Sequence, residues 1–249
     1  MPTAWNDLSD RLSAALNLTT APIAITFSDA PPSGVAPFDR PLPAPLADGR
    51  TGRVPAGCAF WNYATESTFS TVKADHGNCS VGSLTHGFVT LEEVAGNGDV
   101  AALLDTGWVT MEVVPQIPVV TEAPGAVTYG PLREAPVDPD VVLLRVNGKQ
   151  LMVLSDAIPG LRIEGKPQCH IVAIAKEQGE IAASVGCALS RVRTGMPATE
   201  MTIAIPAGQV DRVIDTIEHN AVADAAVARY ASEDMQRFAE AFRSPDTRT

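Results

Sequence analysis

Apolar positions at the start of the chain recur at helical spacing. Trp5, Leu8, Leu12, Ala15 and Leu16 fall on one face and predict a helix. "PIAITF" (22–27) is a short apolar run and predicts a buried strand. Residues 28–57 hold seven prolines and show no apolar period, which predicts a long loop. "CAFWNYATESTFSTVKAD" (58–75) lacks both Gly and Pro and predicts a helix that starts at or near Cys58. In 90–107, Thr90 and Glu93 have the spacing of a capping box before one or two short helices. "WVTMEVVPQIPVV" and "GAVTYGPL" look strand-like, with prolines that push parts of them to sheet edges. "DVVLLRV" (140–146) is the strongest buried strand, and Asn147 is placed to cap the helix after it. "CHIVAIAKEQG" (169–179) fits helix or strand, while "EIAASVG" and "EMTIAIP" (200–206) are strands. Val210, Val213, Ile214 and Ile217 share a helical face, and a second helix follows that should bury Val227, Tyr230 and Phe238. Strands and helices alternate irregularly, so the fold class is α/β or α+β, with a mixed sheet and flanking helices.

A second pattern overlies the first. "GNCSVGSLTHG" (77–87) and "VGCALSRVRTG" (185–195) each place a Gly eight residues after a Cys. Upstream of each lies a Cys-x5-Ala-x-Glu segment: Cys58, Ala64 and Glu66 in one case, Cys169, Ala175 and Glu177 in the other. Each set follows a buried strand. The chain therefore divides into an N-terminal half (1–130) and a C-terminal half (131–249) with the same order of parts, the sign of an internal duplication. All four cysteines of the chain sit at the matched positions. Two related halves packed about a pseudo-twofold axis would bring equivalent loops, and both cysteine pairs, to one site.

Composition narrows the function classes. With 18 basic and 29 acidic residues the formal net charge is −11, which disfavours nucleic acid as a partner. No run approaches a membrane span. "MPTAWNDLSDRLSAALNL" has neither the basic start nor the apolar core of a signal peptide, so the expected location is cytoplasmic. That compartment argues against structural disulfides and leaves the cysteines as buried small residues, metal ligands or reactive thiols. A homo-oligomer is compatible with all of this.

Cys58 and Cys169 open apolar segments, as core residues would. Cys79 and Cys187 lie instead in Gly/Ser-containing loops, where backbone N–H groups are available to sulfur. Four thiolates suit a [4Fe–4S] cluster or, as an alternative, zinc. Their wide spacing is unlike the paired ligands of a zinc finger. A metal-free binding module and a cysteine thiol enzyme remain alternatives.

"PIAITF", "GCAFWNYA", "NCSVGSLTHG", "DPDVVLLRVNGKQLMVL" and "VGCALSRVRTG" together resemble domain-of-unknown-function family 169, the ArCR family, from about residue 8 to 220. The resemblance implies an oxygen-sensitive centre more readily than an aerobic one, and it transfers no catalytic residue. The function expected is redox or lyase chemistry on a small anionic molecule at an iron–sulfur centre held by some or all of Cys58, Cys79, Cys169 and Cys187. Arg191, close behind Cys187, is a candidate clamp for the anion, with Arg193 beside it. His86, in the first cysteine loop, is a candidate catalytic proton donor, and His170 adjoins Cys169. Glu66 and Glu177 read as solvated or as general acid/base groups. "NGKQ" (147–150) lacks the frame of a phosphate loop.

Overall fold

The two strongest apolar runs pair with each other at the centre of one sheet. In the computed structural model, which describes residues 5–39, 57–77, 79–165 and 167–242, β1 (Ile23–Ser28) lies antiparallel to β4 (Val141–Val146). Both are covered on two faces, which is why their sequences are apolar almost without interruption. The remaining strands are β2 (Phe69–Thr71), β3 (Ala126–Pro131), β5 (Arg162–Glu164), β6 (Ala182–Ser184) and β7 (Met201–Pro206). The sheet order is β2-β3-β1-β4-β7-β6-β5. Every pairing is antiparallel except β5 with β6. The protein is thus a mixed α/β structure with one seven-stranded sheet.

Apart from β5, which the second side adds at its outer edge, connectivity is the same on both sides of the β1–β4 seam. In the first half, chain order β1, β2, β3 becomes spatial order β1-β3-β2; in the second, β4, β6, β7 becomes β4-β7-β6. The sheet runs unbroken across the seam, and residues 130 and 131 fall inside β3.

One face carries α1 (Trp5–Leu16), α6 (Gly148–Ala157) and the first turns of α9 (Val210–Phe242). Leu8, Leu12, Val142, Leu144, Leu154 and Ile214 form its core. Asn147 and Gln150 build the capping box that starts α6. The other face carries α2 (Gly57–Tyr63), α3 (Ser80–Thr85), α7 (His170–Ala173) and α8 (Ala188–Thr194). Ile23, Ile25, Val141 and Leu143 meet Phe60, Trp61, Ile171 and Ile174 there. The short helices α4 (Leu91–Val94) and α5 (Gly98–Asp105) flank α3, and α4 has the Thr90–Glu93 capping box.

Several expectations are corrected. The helix from Cys58 ends at Tyr63, and Phe69–Thr71 pair with β3 instead. Thr68, Phe69 and Thr71 are β-branched or aromatic, and sheet pairing outweighs the absence of breakers. "WVTMEVVPQIPVV" forms no strand; its central prolines sit in and beside a single 3-10 turn at Val114–Gln116. Residues 169–179 are helical and end in a π-helical turn, Ile174–Gln178, closed by Gly179. The C-terminal helices are one helix of 33 residues, about 50 Å long, buried only as far as Ile217. Val227, Tyr230 and Phe238 are exposed (65, 67 and 50 %) because the helix runs past the edge of the fold. The expected loop over 28–57 is irregular as far as Asp39, and its remainder, 40–56, lies outside the described residues. No helix among the described residues is long and apolar enough to cross a membrane.

Candidate metal centre

The two Cys-x7-Gly stretches have the same local structure. Cys79 is the N-cap of α3 and Cys187 the N-cap of α8. Each helix lasts under two turns; Gly195 (φ +68°) closes α8, and Gly87 (φ +77°) directly follows His86, which closes α3. That left-handed backbone is strained for any residue with a Cβ. The upstream cysteines also start helices: Cys58 is the second residue of α2 and Cys169 the N-cap of α7.

All four helix starts converge. Cys58, Cys79, Cys169 and Cys187 line one pocket, which has a volume of about 400 Å³ measured out to solvent. Val81, Leu189 and Trp108 supply its apolar wall. All four are thiols rather than disulfides. Burial, reinforced by the Cys79 sulfur and then by Cys187 and Cys58, pushes the Cys169 thiol well above its usual value. The Gly82 N–H donates to Cys79 Sγ at 3.4 Å. The buried Tyr129 phenol is likewise raised, by burial first and then by Cys169 and Cys58.

One zinc ion needs its sulfurs within about 2.3 Å of a single point. Among the described residues no group of three or more His, Cys, Asp or Glu is placed so that it could hold a metal ion. A cluster carries its four irons at separate corners, so it asks for four thiolates around a space, and an apolar wall with backbone donors suits it.

The other expected residues lie elsewhere. The Arg191 guanidinium, expected to hold an anion, donates to the carbonyls of Val185 (2.8 Å), Glu200 (3.1 Å) and Pro197. Its fork ties the cysteine loop to the approach to β7. The side chain of Arg193 is outside the described residues. His86 is buried and does not itself line the cysteine pocket, but its Nδ1–H donates at 2.9 Å to the carbonyl of Gly82, which does. Burial lowers His86 to about 4, with the bond to Gly82 opposing, so the ring is uncharged at neutral pH. His170 is buried 3.9 Å from Glu164 and also lowered to about 4, by burial. Glu66 is exposed, and Glu177 accepts from the Thr121 hydroxyl.

Sequence reasoning missed a polar cavity beside Cys58, lined by Trp61, Gln168, Thr202, Arg145 and Glu200. Two signals were present. Arg145 interrupts an otherwise apolar buried strand, and Thr202 occupies an inward position of β7 in register with it.

The family model of domain-of-unknown-function family 169, described as uncharacterised ArCR, matches residues 11–216. The chain belongs to the ArCR family. No curated protein and no solved structure matches it. The ArCR match takes in both cysteine pairs and the whole sheet, and it stops at the point where α9 leaves the core.

Proposed function

We propose that this ArCR-family protein is a cytoplasmic iron–sulfur protein that holds a [4Fe–4S] cluster on Cys58, Cys79, Cys169 and Cys187 and performs redox or lyase chemistry on a small molecule. The observation that carries the reading is that the chain's four cysteines, two from each half, line a single pocket. Cysteines serving only as small core residues have no reason to share a pocket. A thiol nucleophile needs a lowered thiol, and burial raises that of Cys169, which argues against Cys169 in that role. A reducing compartment keeps the four thiols available.

When bound, the cluster supplies electrons or a Lewis-acidic iron. The chain's own residues do the rest. The helix starts fix the direction of each sulfur. Gly82 N–H stabilises the Cys79 thiolate by donating to it. Val81, Leu189 and Trp108 limit water at the sulfurs. The anion expected from Arg191 is not carried forward, because that guanidinium already serves three carbonyls.

The test is anaerobic purification followed by iron and acid-labile sulfide analysis. About four of each per chain and absorbance near 400 nm are expected. Cys79→Ser and Cys187→Ser should each lose most of both, since a serine hydroxyl is a harder ligand that stays protonated at neutral pH. Wild-type protein that takes up no iron, even after reconstitution with iron and sulfide, would overturn the reading. Iron without sulfide would return it to a single-metal site.

A further inference from the structure

One face of α9 stays apolar long after the fold has stopped covering it. Val210, Ile214, Ile217, Ala221, Asp224, Ala228, Ala231, Met235 and Phe238 follow one another at alternating steps of four and three residues. These are the core positions of a heptad repeat, and all but Asp224 are apolar. The first three are buried in the core, at 0, 0 and 1 % exposure. From Ala221 to Glu240 every position is exposed except Asp234, which is half-buried. Beside the overhanging seam stand Ala225, Val227, Ser232, Asp234 and Ala239, with a single charge among them, while Arg229, Glu233, Arg237 and Glu240 fall on the outer side. Helices are held mainly by packing of their apolar face, and propensity alone leaves a free-standing one only partly formed.

We infer that the overhang of α9 pairs with the same segment of a second copy of this chain, antiparallel, along this seam. Charge sets the direction. Parallel pairing would face Asp224 with another Asp224 and bring two bodies of net charge −11 side by side. Antiparallel pairing, with the seam positions matched, sets Ala221 opposite Phe238, Asp224 opposite Met235 and Ala228 opposite Ala231. The largest side chain thus meets a small one, as interdigitating layers require. Length fits the same register. The end of the helix at Phe242 comes level with Ile217 of the second copy, the last residue of α9 that its own core buries. The overlap, about 38 Å long, therefore fills the gap between two bodies and runs into neither. The contact is self-complementary and closes at two copies.

The area makes this a weak dimer. Seam and flanking positions over the overlap come to about 15 residues a side, and at the roughly 30–40 Å² per residue of ordinary interfaces they cover about 1,000 Å² in total, the least that a specific contact needs. A dissociation constant on the order of 10 µM is expected. Association of that strength leaves the melting temperature of the core nearly unmoved at low micromolar protein, so mass is the readout.

Sedimentation equilibrium of the full-length protein under reducing conditions, from about 1 to 200 µM, brackets that constant. The mass should rise from that of one chain, 26.1 kDa, toward that of two. Ala228→Glu and Ala231→Lys each put a charge into the seam and should each weaken association at least about tenfold. Ala226→Glu adds the same charge on the opposite side, in an equally good helix former, and should change nothing. Mixed one to one, the two seam variants should associate as wild type does. The antiparallel register sets the new carboxylate beside the new ammonium and leaves alanine against alanine in the matching layer. Parallel helices would leave both charges unpaired. A protein that keeps the mass of one chain through about 200 µM overturns the inference. Seam variants that associate like wild type, or an Ala226→Glu variant as impaired as they are, overturn it as well, because another surface then makes the contact. A mixture that stays apart while wild type dimerises overturns the antiparallel register on which the inference stands.

Discussion

Gly186 immediately precedes Cys187, and its backbone is left-handed at φ +105°. A Cβ built there would lie 2.7 Å from Arg191 Nη2, 3.2 Å from Cζ and 3.3 Å from Nε. Gly186→Ala therefore does two things. It strains the backbone, at about 1–3 kcal/mol. It also pushes the guanidinium off one or more of its carbonyls, where a charged donor's hydrogen bond contributes about 1.5–3 kcal/mol. Arg191 is partly exposed, and water replaces part of what is lost, so the low end of each range applies. The sum is about 2–4 kcal/mol. For a chain of this size each kcal/mol moves Tm by about 2–4 °C, so a fall of about 5–15 °C is expected in scanning calorimetry of the iron-free protein.

A double-mutant cycle isolates the cause. With Arg191→Ala in the background the clash is absent, and Gly186→Ala should cost only its backbone strain. The coupling energy is then about 1–2 kcal/mol. A Gly186→Ala variant within about 0.5 kcal/mol of the parent would refute the reasoning outright. An equal cost in both backgrounds would refute the part that involves the guanidinium.

Two further perturbations test other parts of the molecule. Burial holds His86 and His170 at about 4 and lowers His76 as well, so the unfolded chain, with histidines near 6.5, binds more protons. Their contribution is complete above pH 6.5 and is lost as the pH falls toward about 4, at up to about 1.4 kcal/mol per pH unit for each histidine. Urea midpoints should fall between pH 7 and pH 5, and a flat profile would contradict the buried neutral assignment. Ending the chain after Ala221 removes the part of α9 that leaves the core, and Tm should move by no more than about 2 °C. A large loss of stability would mean that the exposed turns pack back onto their own chain.

How much of this was legible depended on whether local pattern and tertiary pairing agreed. β1, β4 and β7 could be read because strands covered on both faces are apolar throughout, and α6 because Asn147 and Gln150 form its cap locally. β2 could not: three residues become a strand only because β3 lies beside them. The overhanging end of α9 has an apolar stripe that reads as a buried face, and sequence periodicity carries no information about where a sheet ends. At the site, the four cysteines were visible by their repeat. The uses of Arg191 and His86 were not, since a side chain's partners are set by the fold. Trp61, Gln168 and Thr202 were the hardest to see, because residues so far apart in the chain share a cavity only once the fold has formed.

The sheet order explains why four cysteines so far apart in sequence can meet. β1 and β4 are neighbouring antiparallel strands, so a twofold axis between them would stand perpendicular to the sheet and keep each face on its own side. In each half, the first cysteine starts a helix between the first strand and the second or its equivalent, and the next caps a helix after it. Under such an axis a cysteine pair on one face in the first half has its counterpart on the same face in the second. An axis in the plane of the sheet would have put the pairs on opposite faces, about 20 Å apart across two packed layers. Shared connectivity about a perpendicular seam is thus sufficient to bring two two-cysteine units to one pocket. It also sets the pocket's asymmetry. The first half inserts α4 and α5 with Trp108 just beyond them, closing one side with apolar residues, while Arg145 and Thr202 from β4 and β7 leave the polar cavity open on the other.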